Sequence, residues 1–413
     1  MSDRMKKILF AVGFFALSIA IGAGLYFFFF RPLVTPPSTT PPTGTPTGSL
    51  PTSGPGSSTT TTNPPSTGGV LPTSPSTPLT GEIPETPPTN TITLRDSVTQ
   101  AVTVGTNGNE ARFYSPNDGR FYRVNADGSI TAISDKQFFN VSEVSWAKKQ
   151  DTAILEFPDG RNIYYNFTEG RQVTMPQHWQ DFSFSPDDSQ ITGKAIGLDP
   201  SNRFLFVANA DGNEARAVEA LGQNASKAIV SWSPNNQVVA FSMTGNPQPE
   251  GAQEILLVGE NHENFKSLIV PGRGFMPNWS PTGNNILYSV YHERDGLRPS
   301  LWVSGGSADT IGENRRNLNL NTWANKCTWQ DENTLYCGVP QSLDEGAGLN
   351  EDLSSNVPDD LYRVDLRTGV SVKVNTPDQT HSIRQPVLSA DHTSLIFTDA
   401  LDGHLYKYVL PTP

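Results

Sequence analysis

Beyond residue 90, apolar residues fall in short runs, four to six long, separated by Gly, Asn, Asp and Pro. One stretch carries Ile229 to Trp232, Val238 to Phe241, Glu254 to Val258 and Phe265 to Val270. The next carries Asn285 to Tyr288, Ser300 to Val303 and Asn317 to Leu320. The runs are β-branched or aromatic, and the residues between them preset a turn or tolerate left-handed backbone. No helical period is sustained after residue 90, so the expected fold class is all-β.

The pattern has a longer period. Ser183-Phe184-Ser185-Pro186-Asp187 returns as Ser231-Trp232-Ser233-Pro234-Asn235 and Asn278-Trp279-Ser280-Pro281-Thr282. Looser copies are Thr328-Trp329-Gln330-Asp331 and Leu388-Ser389-Ala390-Asp391, and a degenerate one is Ser145-Trp146-Ala147-Lys148. The anchors Trp146, Phe184, Trp232, Trp279, Trp329 and Leu388 lie 38, 48, 47, 50 and 59 residues apart. Self-similarity at that spacing marks a repeat architecture. A four-stranded unit cannot hide both faces alone, and radial stacking around an axis buries them between neighbours. The expected fold is therefore a β-propeller whose anchors fill the gaps between blades. At about 48 residues per unit, 91–413 holds nearly seven units, with six or eight as the neighbouring counts.

Both ends support closure. Gln100 to Val104, Ala111 to Tyr114, Arg120 to Val124 and Ser129 to Ile133 read as a first blade. The last unit shows three strands, and Thr91 to Leu94 is expected to supply its fourth, removing an exposed edge. The passages from Trp232-Ser233-Pro234 to Phe241 and from Trp279-Ser280-Pro281 to Tyr288 resemble the TolB-like, WD40-like bacterial propeller repeat. The resemblance covers about residues 100–410. It implies the architecture and a tendency to bind other proteins, but transfers no binding residue.

The front of the chain reads differently. Residues 8–30 carry no charge, long enough for a helix to cross a bilayer core. Arg4, Lys6 and Lys7 precede the segment, with Arg31 alone soon after it. The bias leaves residues 1–7 in the cytoplasm and the rest outside, anchored in the cytoplasmic membrane. The alternative is a cleaved signal peptide, but Ala20, Gly22 and Gly24 sit inside the apolar run. No cysteine is near enough for lipoprotein anchoring. Residues 31–90, nearly all Pro, Thr, Ser and Gly, are expected to be a disordered linker. As a coil it would span ~40–45 Å, and as extended polyproline roughly 180 Å. It would hold the 91–413 head away from the membrane.

Cys327 and Cys337 flank a tight Gln330-Asp331-Glu332-Asn333 turn and are expected to face each other across a hairpin. A disulfide fits an oxidising compartment; two unpaired small hydrophobes are the alternative. Gly305-Gly306-Ser307-Ala308-Asp309 lacks the last glycine of a nucleophile elbow and lies among strands. Ser115-Pro116-Asn117-Asp118-Gly119 reads as an ordinary hairpin turn. The six histidines show no ligand spacing and read as surface or loop residues. No catalytic group, cofactor or metal is assigned.

One irregularity stands out, a long acidic insertion in the sixth unit with Asp344, Glu345, Glu351 and Asp352. It is read as a solvated, mobile loop and as a candidate interaction segment. Calcium is the other reading, but the order does not match a calcium loop. The 91–413 head carries 25 basic and 38 acidic side chains. That balance excludes a nucleic-acid partner, whose affinity comes from basic groups. The expected function is a non-enzymatic, extracytoplasmic propeller binding a protein or envelope component. A glycan-binding or glycan-cleaving propeller, or a spacer or adhesin head, are the rivals.

Overall fold

A computed structural model describes residues 91–106, 110–263, 265–374 and 380–410. The expected cytoplasmic tail (1–7), membrane span (8–30) and linker (31–90) lie outside these. No helix among the described residues is long and apolar enough to cross a membrane.

Seven four-stranded antiparallel sheets make seven blades. In blades one to six (residues 100–132, 143–175, 179–220, 228–270, 273–317 and 327–373) the strands run in sequence order, and the first strands of blades six, seven, one, two, three and four approach one another in turn, placing them at the axis. Blade seven is composite. Ile383–Leu388, Ser394–Asp399 and Leu405–Val409 come from the end of the chain, and Thr91–Arg95 from the start of the head. Thr91 pairs with Tyr408 and Thr93 with Tyr406, so the ring is clasped by both ends.

Seven apolar clusters fill the seven junctions. Blades one and two share Tyr114, Phe121, Leu155 and Tyr165, with Trp146 against them. Blades seven and one share Ile396, Leu405, Phe113 and Val124. Phe184, Trp232 and Leu388 are buried in their clusters, while Trp279 and Trp329 are half-buried against theirs.

The recurrent phrase is a turn lock. Buried Ser185, Ser233, Ser280 and Ser389 accept through Oγ from the amide five residues on, at 2.9 to 3.0 Å. In three copies the same hydroxyl donates to the side chain two residues later: Asp187 at 2.6 Å, Asn235 at 2.6 Å and Asp391 at 2.7 Å. These bonds hold the Asp187 and Asp391 carboxyls down at about 2. The phrase thus closes the first hairpin of a blade.

Several strand ends differ from expectation. The strand expected through Trp232 stops at Val230. Trp232 instead donates its amide to Ser183 Oγ of blade three and its indole to Asn236. The run expected through Leu320 is cut to Arg316–Asn317, because Asn319 turns left-handed at φ 55°.

Candidate functional site

Antiparallel order puts the serine turns, and the third-to-fourth strand turns, on one face of the ring. The second-to-third strand loops and the crossings to the next blade lie on the other. The second face carries a cavity beside the axis and a cleft at the insertion, with Glu156, Lys326, Asp359 and Asp399 buried near it, while the buried Arg112–Asp151 pair lies on the first face.

A cavity of about 600 Å³ opens there beside the axis. Its walls come from the first strands of blades seven, one and two, including Arg384, Gln385, Ala101 and Glu143. Ala101 and Gln385 are left-handed, at φ 52° and 49°, where register shifts bulge their strands. Bulges re-aim side chains, and strain in non-glycine residues collects at functional positions.

Under the Glu143 wall lies an acidic group. Glu143 pairs across the strands with Glu156, which is 8% exposed. Glu156 Oε2 accepts the Asp181 amide at 3.2 Å, whereas Oε1 is buried with no partner. Burial first, and Glu143 second, push the Glu156 carboxyl up to about 8. Asp181 is neutralised by Lys194 at 2.6 Å.

A second buried set joins blades six and seven. Lys326 Nζ lies 2.7 Å from Asp359 Oδ2, which also accepts the Ile383 amide at 2.6 Å. Burial raises Asp359 to about 6 despite the lysine. Nearby, His381 Nδ1 is 2.6 Å from Asp399 Oδ2. His381, expected as a surface or loop residue, lies in a loop but is largely covered: its ring packs tilted on Tyr406 with centroids 4.2 Å apart, and its side chain is 11% exposed.

The insertion between Pro340 and Asp359 is also not the mobile loop expected. It folds into two short 3-10 turns, Ala347–Leu349 and Glu351–Ser354, against blade five. The Gly346 amide donates to Gly296 O at 2.9 Å and the Gly348 amide to Leu297 O at 2.8 Å. Arg298 Nε reaches Leu343 O at 2.9 Å. Contact is so close that a Cβ on Gly348 would sit 2.6 Å from Tyr291 Cβ. Leu297 itself is left-handed at φ 52°, a rare state for a bulky residue.

The four acidic side chains of the insertion divide. Glu351 accepts from Asn325 at 2.7 Å, and Asp352 pairs with Arg384 at 3.2 Å. Asp344 and Glu345 stay exposed beside the blade-five contact. Leu349 and Leu353 also face solvent, 60% and 70% exposed. Next to Leu349 a cleft of about 700 Å³ is lined by Arg273, Tyr291, His292, Arg294 and Leu297. Among the described residues, no cluster of His, Cys, Asp or Glu could hold a metal ion.

Cys327 and Cys337 are opposite one another and joined in a disulfide, with Cα atoms 4.1 Å apart. The buried charges on the site face escaped sequence reasoning, because their partners are distant in the chain. Glu156 alone left a signal, a carboxylate inside the apolar run Ala153-Ile154-Leu155-Glu156-Phe157.

No family model matches the chain, and no curated protein matches it. Solved structures do. An oligogalacturonate lyase from Vibrio parahaemolyticus is 11% identical with a TM-score of 0.52, covering 79% of this chain and 95% of its own. The Swd1 β-propeller domain of Myceliophteria thermophila is 10% identical with a TM-score of 0.52, covering 78% of this chain and all of its own. At such identity the likeness is one of fold: a β-propeller.

Proposed function

We propose that this chain is a TolB-like, non-enzymatic propeller, held outside the cell by its N-terminal apolar segment. On this reading it binds a protein partner on the face that carries the insertion. The observation behind it is the pinned insertion. A segment fixed by backbone bonds and a glycine contact nevertheless leaves Leu349 and Leu353 in solvent beside a cleft. Rigid apolar side chains next to a concavity are what an interface core needs. Asp344 and Glu345 at the border favour a partner whose apolar anchor is flanked by basic residues.

The test is partner binding by the full chain with Leu349→Asp and Leu353→Asp. Each change is expected to weaken binding by at least about tenfold. Unchanged binding by the double variant would refute the reading. A second reading, a propeller that binds or cleaves a glycan, is favoured by the polar cavity beside the axis. Release of sugar from envelope polysaccharide, lost on filling the cavity with Ala101→Trp, would support it.

A further inference from the structure

The cavity beside the axis owes its place to an alternation around the ring. The first strands of blades one, three, five and seven each slip register, between Gln100 and Thr103, Gln180 and Ser183, Arg273 and Met276, and Arg384 and Val387. Each slip holds a left-handed residue: Ala101, Asp181, Gly274 and Gln385. The first strands of blades two, four and six pair without a slip. With seven blades the alternation cannot close, so two slipped strands meet, those of blades seven and one. The cavity of about 600 Å³ opens between them and blade two, a volume that suits a small ligand.

The meeting leaves donors on the cavity wall. The Val102 amide donates to Gln385 Oε1 at 3.1 Å, and the Trp146 indole donates to Ala101 O at 2.8 Å. Because Oε1 is the acceptor, the Nε2 hydrogens of Gln385 are left over, with no partner among the described residues. Arg384, beside it, is the cation of the lining. It spends one bond, from Nη2 to Asp352 Oδ1 at 3.2 Å, in a pair whose side chains are 41% and 78% exposed. The lining carboxyls do not answer it. Asp399 is engaged by His381 and by the amides of Ser382 and Leu401. Glu143 stands on blade two, with blade one between it and Arg384, and burial first and Asp181 second raise its carboxyl.

Asp352 displays the chemistry that Arg384 takes, a carboxylate. We propose that the cavity binds a small ligand through a carboxylate seated on Arg384 and Gln385, and that this ligand draws Arg384 off Asp352. A guanidinium fork grips a carboxylate with two parallel bonds, which a single solvent-exposed bond does not match. Asp352 belongs to the short turn Glu351–Ser354, which also carries Leu353. Among the described residues, two side-chain bonds tie that turn to other elements, Glu351 to Asn325 and Asp352 to Arg384. Losing one of them loosens the turn. That the loosening alters protein docking rests on the reading above. The carboxylate can arrive on an acidic sugar or at a peptide C-terminus; the recognised chemistry is the same.

The experiment is calorimetry on the purified full chain with glucuronic acid and N-acetyl-alanyl-alanine. Glucuronamide and N-acetyl-alanyl-alanine amide are their neutral counterparts. At least one acid should bind about tenfold tighter than its amide, and the tighter acid identifies the source as sugar or peptide. Arg384→Gln, its fold checked by thermal melt, should lose at least about tenfold. Asp352→Asn should bind the acid about two- to fivefold tighter, because the arginine is no longer shared. Hydrogen exchange over residues 350–355 should quicken when the acid is bound. Failure of both acids to bind, equal binding of the amides, or binding indifferent to Arg384→Gln would overturn the proposal. So would an Asp352→Asn chain that binds no tighter than the wild type, or exchange over 350–355 that the acid leaves unchanged. None of these readouts uses a protein partner, so protein docking stands or falls separately.

Discussion

The Lys326 ammonium sits 2.7 Å from the Asp359 carboxylate, with both side chains at most 5% exposed. Because Asp359 also takes the Ile383 amide, the pair ties blade six to blade seven. Removing one partner of such a pair strands a buried charge. Lys326→Met should cost ~3–5 kcal/mol, while Lys326→Met with Asp359→Leu should recover most of it. Urea denaturation of the three proteins measures both. A single-variant loss below about 1 kcal/mol would show that the bridge does not hold the blades.

The Cys327–Cys337 disulfide closes a ten-residue separation across paired strands. Loop-entropy reasoning gives it about 2–3 kcal/mol. Reduction by dithiothreitol should lower the denaturation midpoint accordingly, and Cys327→Ser with Cys337→Ser should show the same midpoint with or without reductant. A midpoint indifferent to reductant in the wild type would mean that the bond is not formed in solution.

Glu156 makes stability fall as pH rises. Its carboxyl titrates near 8 in the folded chain against 4.5 as reference, so between these values the folded state holds a proton that the unfolded state has released. Its contribution is complete below about 4.5 and lost as pH passes about 8. Relative to Glu156→Gln, the wild type should lose stability across this window. Parallel pH profiles for the two proteins, from thermal melts, would contradict the burial of an unpaired carboxyl.

The ring was legible because its turn chemistry is local. A buried serine that accepts from the amide five residues on needs only its own hairpin, so Ser185, Ser233, Ser280 and Ser389 stand out in sequence. Strand ends were less legible, since Trp232 leaves its ladder for Ser183 in the preceding blade. The insertion was visible as an acidic irregularity, but its docking was not. That depends on Gly348 meeting Tyr291 far away in sequence. The Glu143–Glu156–Asp181 group has the same cause, three strands brought together by the fold.

Closure rests on Thr91–Arg95, whose Leu94 packs on the blade seven to one cluster. A chain lacking these five residues leaves Leu405–Val409 as an open edge. It should melt at least about 5 °C lower and self-associate with rising concentration. Sedimentation velocity and a thermal melt check both, and no change in either would contradict the clasp.

The central claim is that the face carrying Leu349 and Leu353 meets a protein. Its most direct test is photo-crosslinking in cells that carry the protein, with a photoreactive side chain at position 353 and a control at position 127, on the opposite face. A discrete adduct is expected at 353, absent at 127 and diminished by Leu349→Asp. Equal adducts at both positions, or none at 353, would contradict the claim.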